Sequence, residues 1–208
     1  MILDSKGLLI VISGPSGVGK GTVRKKVFEA PNNKFAFSIS MTTRKPRIGE
    51  VDGVDYWFVS KEEFEESIKN DNLIEHAVFV DNYYGTPKDK VYKLLNEGYD
   101  VFLEIDVQGA LQIKEKMKDQ AVLIFIAPPS LKELRKRLKS RGTETIEVIE
   151  KRLSQARGEI NQVKNGAYDY LVINESVDTA CEEVLSIIQA EHKKSNRIID
   201  KYIQLMEE

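Results

Sequence analysis

Four short apolar runs interrupt an otherwise polar chain: Leu8–Ile12, Val101–Ile105, Val122–Ile126 and Tyr170–Ile173. Most are followed by polar, helix-forming sequence, a pattern that predicts parallel strands covered by helices on both faces. Phe35–Ile39 reads as a fifth strand. Helical stretches are expected at about Lys20–Glu29, Pro87–Glu97, Gly109–Lys118, Leu131–Lys139, Ile146–Asn165 and Val177–Glu191. The last carries Val177, Ala180, Val184, Ile187 and Ile188 at helical spacing, and Ser130 is a candidate N-cap for Leu131–Lys139. The expected fold class is α/β, a doubly wound parallel sheet whose core comprises residues 1–37, 87–136 and 158–208.

Two stretches depart from that alternation. Ser38–Thr86 is rich in Thr, Arg, Gly, Asp and Tyr, with short strand-like pieces around Tyr56–Val59 and Leu73–Val80. It reads as a small lobe, residues 38–86, inserted into one domain that spans 1–208. Ser140–Thr145 is polar and sits between arginines, so residues 137–157 are expected to form a mobile lid. The tail Ser195–Glu208 places Ile198, Ile199, Tyr202 and Leu205 at helical spacing and could pack on its own domain or on a second subunit.

The segment LLIVISGPSGVGKGT, Leu8–Thr22, carries the first chemistry. An apolar strand stops at a glycine-rich turn and a lysine opens a helix. Such a turn aims backbone N–H groups inward, and the helix adds its positive end, which together attract a polyphosphate. Lys20 would reach the outer phosphates, while Gly14, Gly17 and Gly19 permit close backbone approach. Pro15, Ser16, Val18, Gly21 and Thr22 complete the loop. The pattern is GxxxxGK[ST] with one departure: Gly21 follows the lysine, and a hydroxyl arrives only at Thr22. Whether Thr22 serves a metal ion is left open at this point.

Composition narrows the classes. With 31 Lys and Arg against 33 Asp and Glu, the formal net charge is −2, unlike the basic surface that nucleic-acid binding needs. The single cysteine, Cys181, excludes an intramolecular disulfide and falls on an apolar helical stripe, where packing is its expected role. With no long apolar segment, neither a secretory signal nor a membrane span is expected, and a cytoplasmic location is the simplest reading.

Beyond the loop, SISMTTRKPRIGEVDGVDYWFV, DNYYGTP, LEIDVQGA, IFIAPPS and RLKSRGTET follow in order. Together with GPSGVGKGT these segments closely resemble guanylate kinase, over nearly the whole chain. The resemblance implies a P-loop NTPase type of sheet with a GMP-binding lobe and a mobile lid. It also implies an enzyme of purine nucleotide metabolism and GMP recycling that moves the γ-phosphoryl of ATP to GMP, with Mg²⁺, giving ADP and GDP. ATP and GMP, and dGMP as well, would then be its partners.

The same resemblance assigns residues. Arg44 and Arg47 would meet the GMP phosphate, aided by the hydroxyls of Tyr56 and Tyr84; planar Arg forks suit a phosphate better than Lys does. Glu75 would accept from guanine N1–H and the N2 amine, with Ser40 facing O6 and Thr86 near the amine. A site that pairs a substrate's donors can reject an analogue lacking them by about 10⁴–10⁵. Asp106 would help hold GMP and organise metal-bound water, and Glu104 lies in the same region. Which of the two carboxylates matters more for the metal stays open. Arg137, Arg141 and Arg152 would stabilise the transferring phosphoryl, together with Lys20 and Arg44, since phosphoryl transfer relies on positioning and charge. Asn174 would lie by the adenine or ribose of ATP. His76 and His192 are expected to be structural or exposed.

Two alternatives compete on the residues. A kinase for another monophosphate acceptor is disfavoured by Ser40, Glu75 and Thr86. A non-catalytic guanylate-kinase-like module that binds phosphopeptides typically loses the loop lysine, whereas Lys20 is present.

Overall fold

A computed structural model describes residues 6–79, 81–140 and 145–207. Five parallel strands form the main sheet: β1 (Leu9–Ser13), β2 (Phe35–Phe37), β7 (Asp100–Glu104), β8 (Ala121–Ala127) and β9 (Tyr170–Ile173), ordered β2-β7-β1-β8-β9. Successive residues of a strand point to opposite faces, and both faces are buried here. Leu9, Val11, Leu123 and Phe125 pack with Val91, Leu95, Val107, Ala110 and Ile113 of α3 (Lys88–Asn96) and α4 (Val107–Met117). Ile10, Ile12, Ile124 and Ile126 pack on the other face with Val23 and Val27 of α1 (Lys20–Phe28), and with Ala180, Val184 and Ile188 of α7 (Val177–His192). That is why these strands read as unbroken apolar runs. Each fully buried aliphatic chain stabilises by about 1.5–3 kcal/mol. Cys181 is buried in the second layer.

The expected helices form within two residues of their forecast ends, including α5 (Leu131–Ser140) and α6 (Ile146–Lys164). One strand differs from expectation. β9 lies at the sheet edge, and Leu171 and Ile173 are exposed. Apolar composition alone does not distinguish an edge strand from a central one.

A second sheet holds β3 (Met41–Thr42), β4 (Trp57–Phe58), β5 (Leu73–Phe79) and β6 (Asn82–Pro87), ordered β4-β3-β6-β5. β6, to which the sequence reading assigned no strand, pairs antiparallel with both β3 and β5. Also unforeseen is α2 (Lys61–Lys69). Its signal is a capping box: Ser60 Oγ accepts from the Glu63 N–H at 3.1 Å, and Glu63 Oε2 accepts from the Ser60 N–H at 2.8 Å. Phe64 is its one buried side chain and stacks on Tyr83 at 5.1 Å, so the helix has a narrow apolar stripe that periodicity misses.

The second sheet is tied to the main domain through α4. Gln112 Nε2 donates to the His76 carbonyl at 2.8 Å, and its Oε1 accepts from the His76 N–H at 3.1 Å. The tail forms α8 (Ser195–Glu207), where Ile199, Tyr202, Ile203, Leu205 and Met206 are exposed. Among the described residues, no helix is long and apolar enough to cross a membrane.

Candidate active site

The turn between β1 and α1 is built from three glycines in the left-handed half of backbone space: Gly14 (φ 142°), Gly17 (φ 88°) and Gly19 (φ 98°). Gly14 has a second constraint, since a methyl group there would sit 2.2 Å from the Ile126 carbonyl oxygen. Val18 is fully buried and anchors the turn. Its carbonyl accepts from Asn174 Nδ2 at 2.8 Å and from Arg137 Nη1 at 3.3 Å, while Arg137 Nη2 donates to the Asn174 carbonyl at 3.0 Å. Asn174, after the last strand, and Arg137, on α5, thus brace the loop through the Val18 carbonyl. Arg152 on α6 also reaches the loop, with Nη1 donating to Ser16 Oγ at 3.1 Å.

Lys20 folds over its own loop. Its Nζ donates to the Gly14 carbonyl at 2.6 Å and to the Pro15 carbonyl at 3.2 Å. Ser16, Gly17, Gly19, Lys20, Gly21, Thr22, Lys25 and Glu104 line a cleft of about 400 Å³ in front of the loop. It opens at the carboxyl ends of the strands, where ligands bind in open α/β sheets. Arg141 lies outside the described residues.

The two carboxylates at the end of β7, Glu104 in its last position and Asp106 two residues on, diverge. Glu104 enters the cleft and pairs with Arg24, Nε to Oε2 at 3.1 Å. Asp106 is the N-cap of α4, its Oδ1 accepting from the Gly109 N–H at 2.8 Å. Gly109 is pressed from its other side: a methyl there would meet Glu75 Oε2 at 2.8 Å. Asp106 and Glu75 therefore flank one glycine at the start of α4.

Glu75 comes from β5 at a register irregularity between Leu73 and His76, the kind of bulge that re-aims a side chain. It is only 5% exposed, and its Oε1 accepts from the Thr86 hydroxyl at 2.7 Å. Burial pushes its carboxyl up to about 7; the Thr86 bond opposes the shift and the Asp106 charge adds to it. No cation pairs with it among the described residues. A buried carboxylate in this state calls for donors.

Other candidate residues around the second sheet gather at Arg44, two residues beyond β3. Its Nη1 and Nη2 meet Glu50 at 2.9 and 2.8 Å, and its guanidinium lies 5.3 Å from the Tyr56 ring centre. Bonding to Glu50 raises Arg44 above its ordinary value, with a contribution from Tyr84. Tyr56 and Tyr84 meet edge to face at 6.0 Å. Arg47 is exposed, and its N–H donates to Glu50 Oε2 at 2.7 Å. Ser40 lies beside this group, its carbonyl accepting from the Trp57 N–H at 2.9 Å.

The structure thus brings the candidates together in two groups, one around the loop and one on the second sheet. Three participants escaped sequence reasoning. Glu50 and Arg24 look like ordinary surface charges in the sequence, and only their ion pairs mark them. Glu159 on α6 has one buried oxygen, Oε2, without a hydrogen-bond partner, and it feels the charges of both Lys20 and Asp106. Burial raises its carboxyl, and Lys20 counters that shift.

Oxygen donors near the loop, Thr22 and Glu104 with Asp106 farther along, fit a hard cation such as Mg²⁺. No group of three metal-binding side chains occurs among the described residues.

Residues 6–191 match the family model described as Guanylate kinase. A curated guanylate kinase of Bacillus anthracis is 57% identical over 202 residues, covering 97% of each chain. One from Lactococcus lactis subsp. lactis is 55% identical over 206 residues, covering 99% of this chain and 98% of that one. The crystal structure of guanylate kinase from Anaplasma phagocytophilum superposes with a TM-score of 0.72 at 36% identity, covering 93% of this chain and 90% of that one. A parallel sheet wrapped by helices, a glycine-built phosphate turn and near-complete sequence coverage by named relatives lead to one assignment: this chain belongs to the guanylate kinase family.

Proposed function

We propose that this enzyme transfers the γ-phosphoryl of ATP to GMP, giving ADP and GDP. The observation that carries the reading is the buried Glu75 carboxyl, bonded to Thr86 and paired with no cation among the described residues. Guanine offers two adjacent donors, N1–H and the N2 amine, and one carboxylate can accept both. Adenine would set a lone pair against it. Ser40 offers a hydroxyl to O6. The GMP phosphate would lie against Arg44 and Arg47, with Tyr56 and Tyr84 alongside. Arg44 would then exchange part of its bond to Glu50 for the substrate's phosphate.

The triphosphate of ATP would occupy the loop from Gly14 to Thr22. Lys20 would leave the Gly14 and Pro15 carbonyls for the outer phosphates, and Asn174 and Arg137 would keep the loop in shape beneath it. A phosphate oxygen of GMP attacks the γ-phosphorus in line, and the bond to the β–γ bridging oxygen breaks as ADP departs. Charge on the transferring group is spread by Lys20, Arg44 and Arg152, with Arg141 in the same role, as a loose transition state requires, while Arg137 acts through the loop it holds. Thr22, Glu104 and, through water, Asp106 would hold a Mg²⁺ ion bound with the nucleotide, which would supply further neutralisation of the phosphate charge. We assign residues 38–86 to the GMP-binding lobe and 137–157 to a lid that closes over both substrates and excludes water.

A coupled assay of ADP formation with GMP, dGMP, AMP and UMP tests this reading. Turnover with GMP at least about 10³ times that with AMP is expected, given a pocket that pairs the substrate's donors. Equal rates with AMP would refute it.

A further inference from the structure

The residue after Lys20 is glycine, where a hydroxyl usually stands, and the backbone does not require it. Gly21 lies in α1 and is not among the residues with a positive φ. What distinguishes the position is its neighbour across the cleft. A Cβ on Gly21 would lie 3.4 Å from Glu104 Oε1 and 3.5 Å from Oε2. The carboxylate therefore stands directly in front of the place from which a serine hydroxyl would project. Glu104 comes from the last residue of β7, beside Ile12 of β1.

Arg24, one helical turn beyond Lys20, holds that carboxylate. Its Nε donates to Oε2 at 3.1 Å, and its guanidinium lies 4.0 Å from the Phe37 ring centre and 5.7 Å from that of Phe28. A planar group held at one edge by a carboxylate and on its face by aromatic rings has little freedom. Among the described residues, Glu104 Oε1 makes no hydrogen bond and is left to the cleft.

A carboxylate at the mouth of a phosphate cradle opposes polyphosphate binding unless a cation lies between the two. We propose that Arg24 is a positioning residue, which holds Glu104 toward the divalent cation that accompanies the nucleotide. Glu104 thereby takes the place of the hydroxyl absent at Gly21. The inference rests on the phosphoryl-transfer reading of this cleft, and it favours Glu104 over Asp106, whose Oδ1 is engaged in capping α4.

Calorimetric titration of the full-length protein with ATP, once in Mg²⁺ and once in EDTA, tests it. The readout is the ratio of the two affinities. In Glu104→Gln, ATP binding in Mg²⁺ weakens while binding in EDTA stays equal or tightens, because a repelling charge is gone. In Arg24→Ala the ratio falls about tenfold or more, as expected for loss of a group that orients a metal ligand, and Arg24→Lys recovers part of it. GMP affinity stays within twofold throughout. An unchanged ratio in Glu104→Gln, or a parallel loss in Mg²⁺ and EDTA, overturns the proposal. If Arg24→Ala does not fold, Glu104→Gln and Arg24→Lys decide. Wild-type protein that binds no ATP in either medium would instead overturn the phosphoryl-transfer reading itself.

Discussion

On the proposed reading, the phosphate turn and the second sheet would meet two anionic groups by opposite means. In the turn the backbone is the binding surface: three glycines open the chain, a helix end faces the cleft, and one lysine completes it. On the second sheet the backbone only carries side chains. Glu75, Thr86 and Tyr84 come from two strands, Arg44 and Tyr56 from the chain just outside two others, and their worth depends on register. A contiguous device tolerates change around it but not within it. A convergent device is sensitive to anything that shifts a strand.

That contrast can be broken most severely at Lys20. Lys20→Ala should lower turnover by at least about 10³-fold, on the scale of removing a group that stabilises developing charge. GMP binding, measured by calorimetry, should stay unchanged because it belongs to the other region. A joint loss of both would merge the two regions into one.

Glu75→Gln probes the convergent side with a smaller effect. Losing a charge-assisted bond weakens GMP by about 1.5–3 kcal/mol, or roughly 10–150-fold in KM. ATP binding to the loop should not move. Unchanged preference for GMP over AMP would remove Glu75 from base recognition.

The mildest test needs no substrate. The fold raises the Glu75 carboxyl from 4.5 to about 7, chiefly by burial. A raised acid favours its protonated form in the folded state. Its contribution to stability is therefore fullest below pH 4.5, falls as pH rises to about 7, and is flat above. Glu75→Gln carries no proton to lose, so its stability relative to wild type should improve by about 2–3 kcal/mol between roughly pH 5 and pH 8. Urea unfolding at the two pH values measures this, and parallel curves would show that the carboxyl is not held in its raised state.

Much of the main sheet is legible in the chain because burial on both faces leaves a local record, as in Leu8–Ile12 and Val122–Ile126. The second sheet leaves little. β6 reads Asn-Tyr-Tyr-Gly-Thr-Pro, a loop by composition, and becomes a strand because β3 and β5 both lie beside it. α2 has one buried apolar residue, and its capping box was the available clue. The edge position of β9 left no mark at all.

Local order, then, was the sequence's own province. A strand, a glycine turn and a helix that follow one another within fifteen residues define a phosphate site because its parts are covalent neighbours. Pairings across the chain belonged to the tertiary structure. Arg24 meets Glu104 eighty positions away, and Glu75 leans on Gly109 beside Asp106, because sheet order and helix packing bring them together. A charged residue's sequence context resembles that of any solvated charge; what separates the two is burial and a partner, and both arise only when the chain folds.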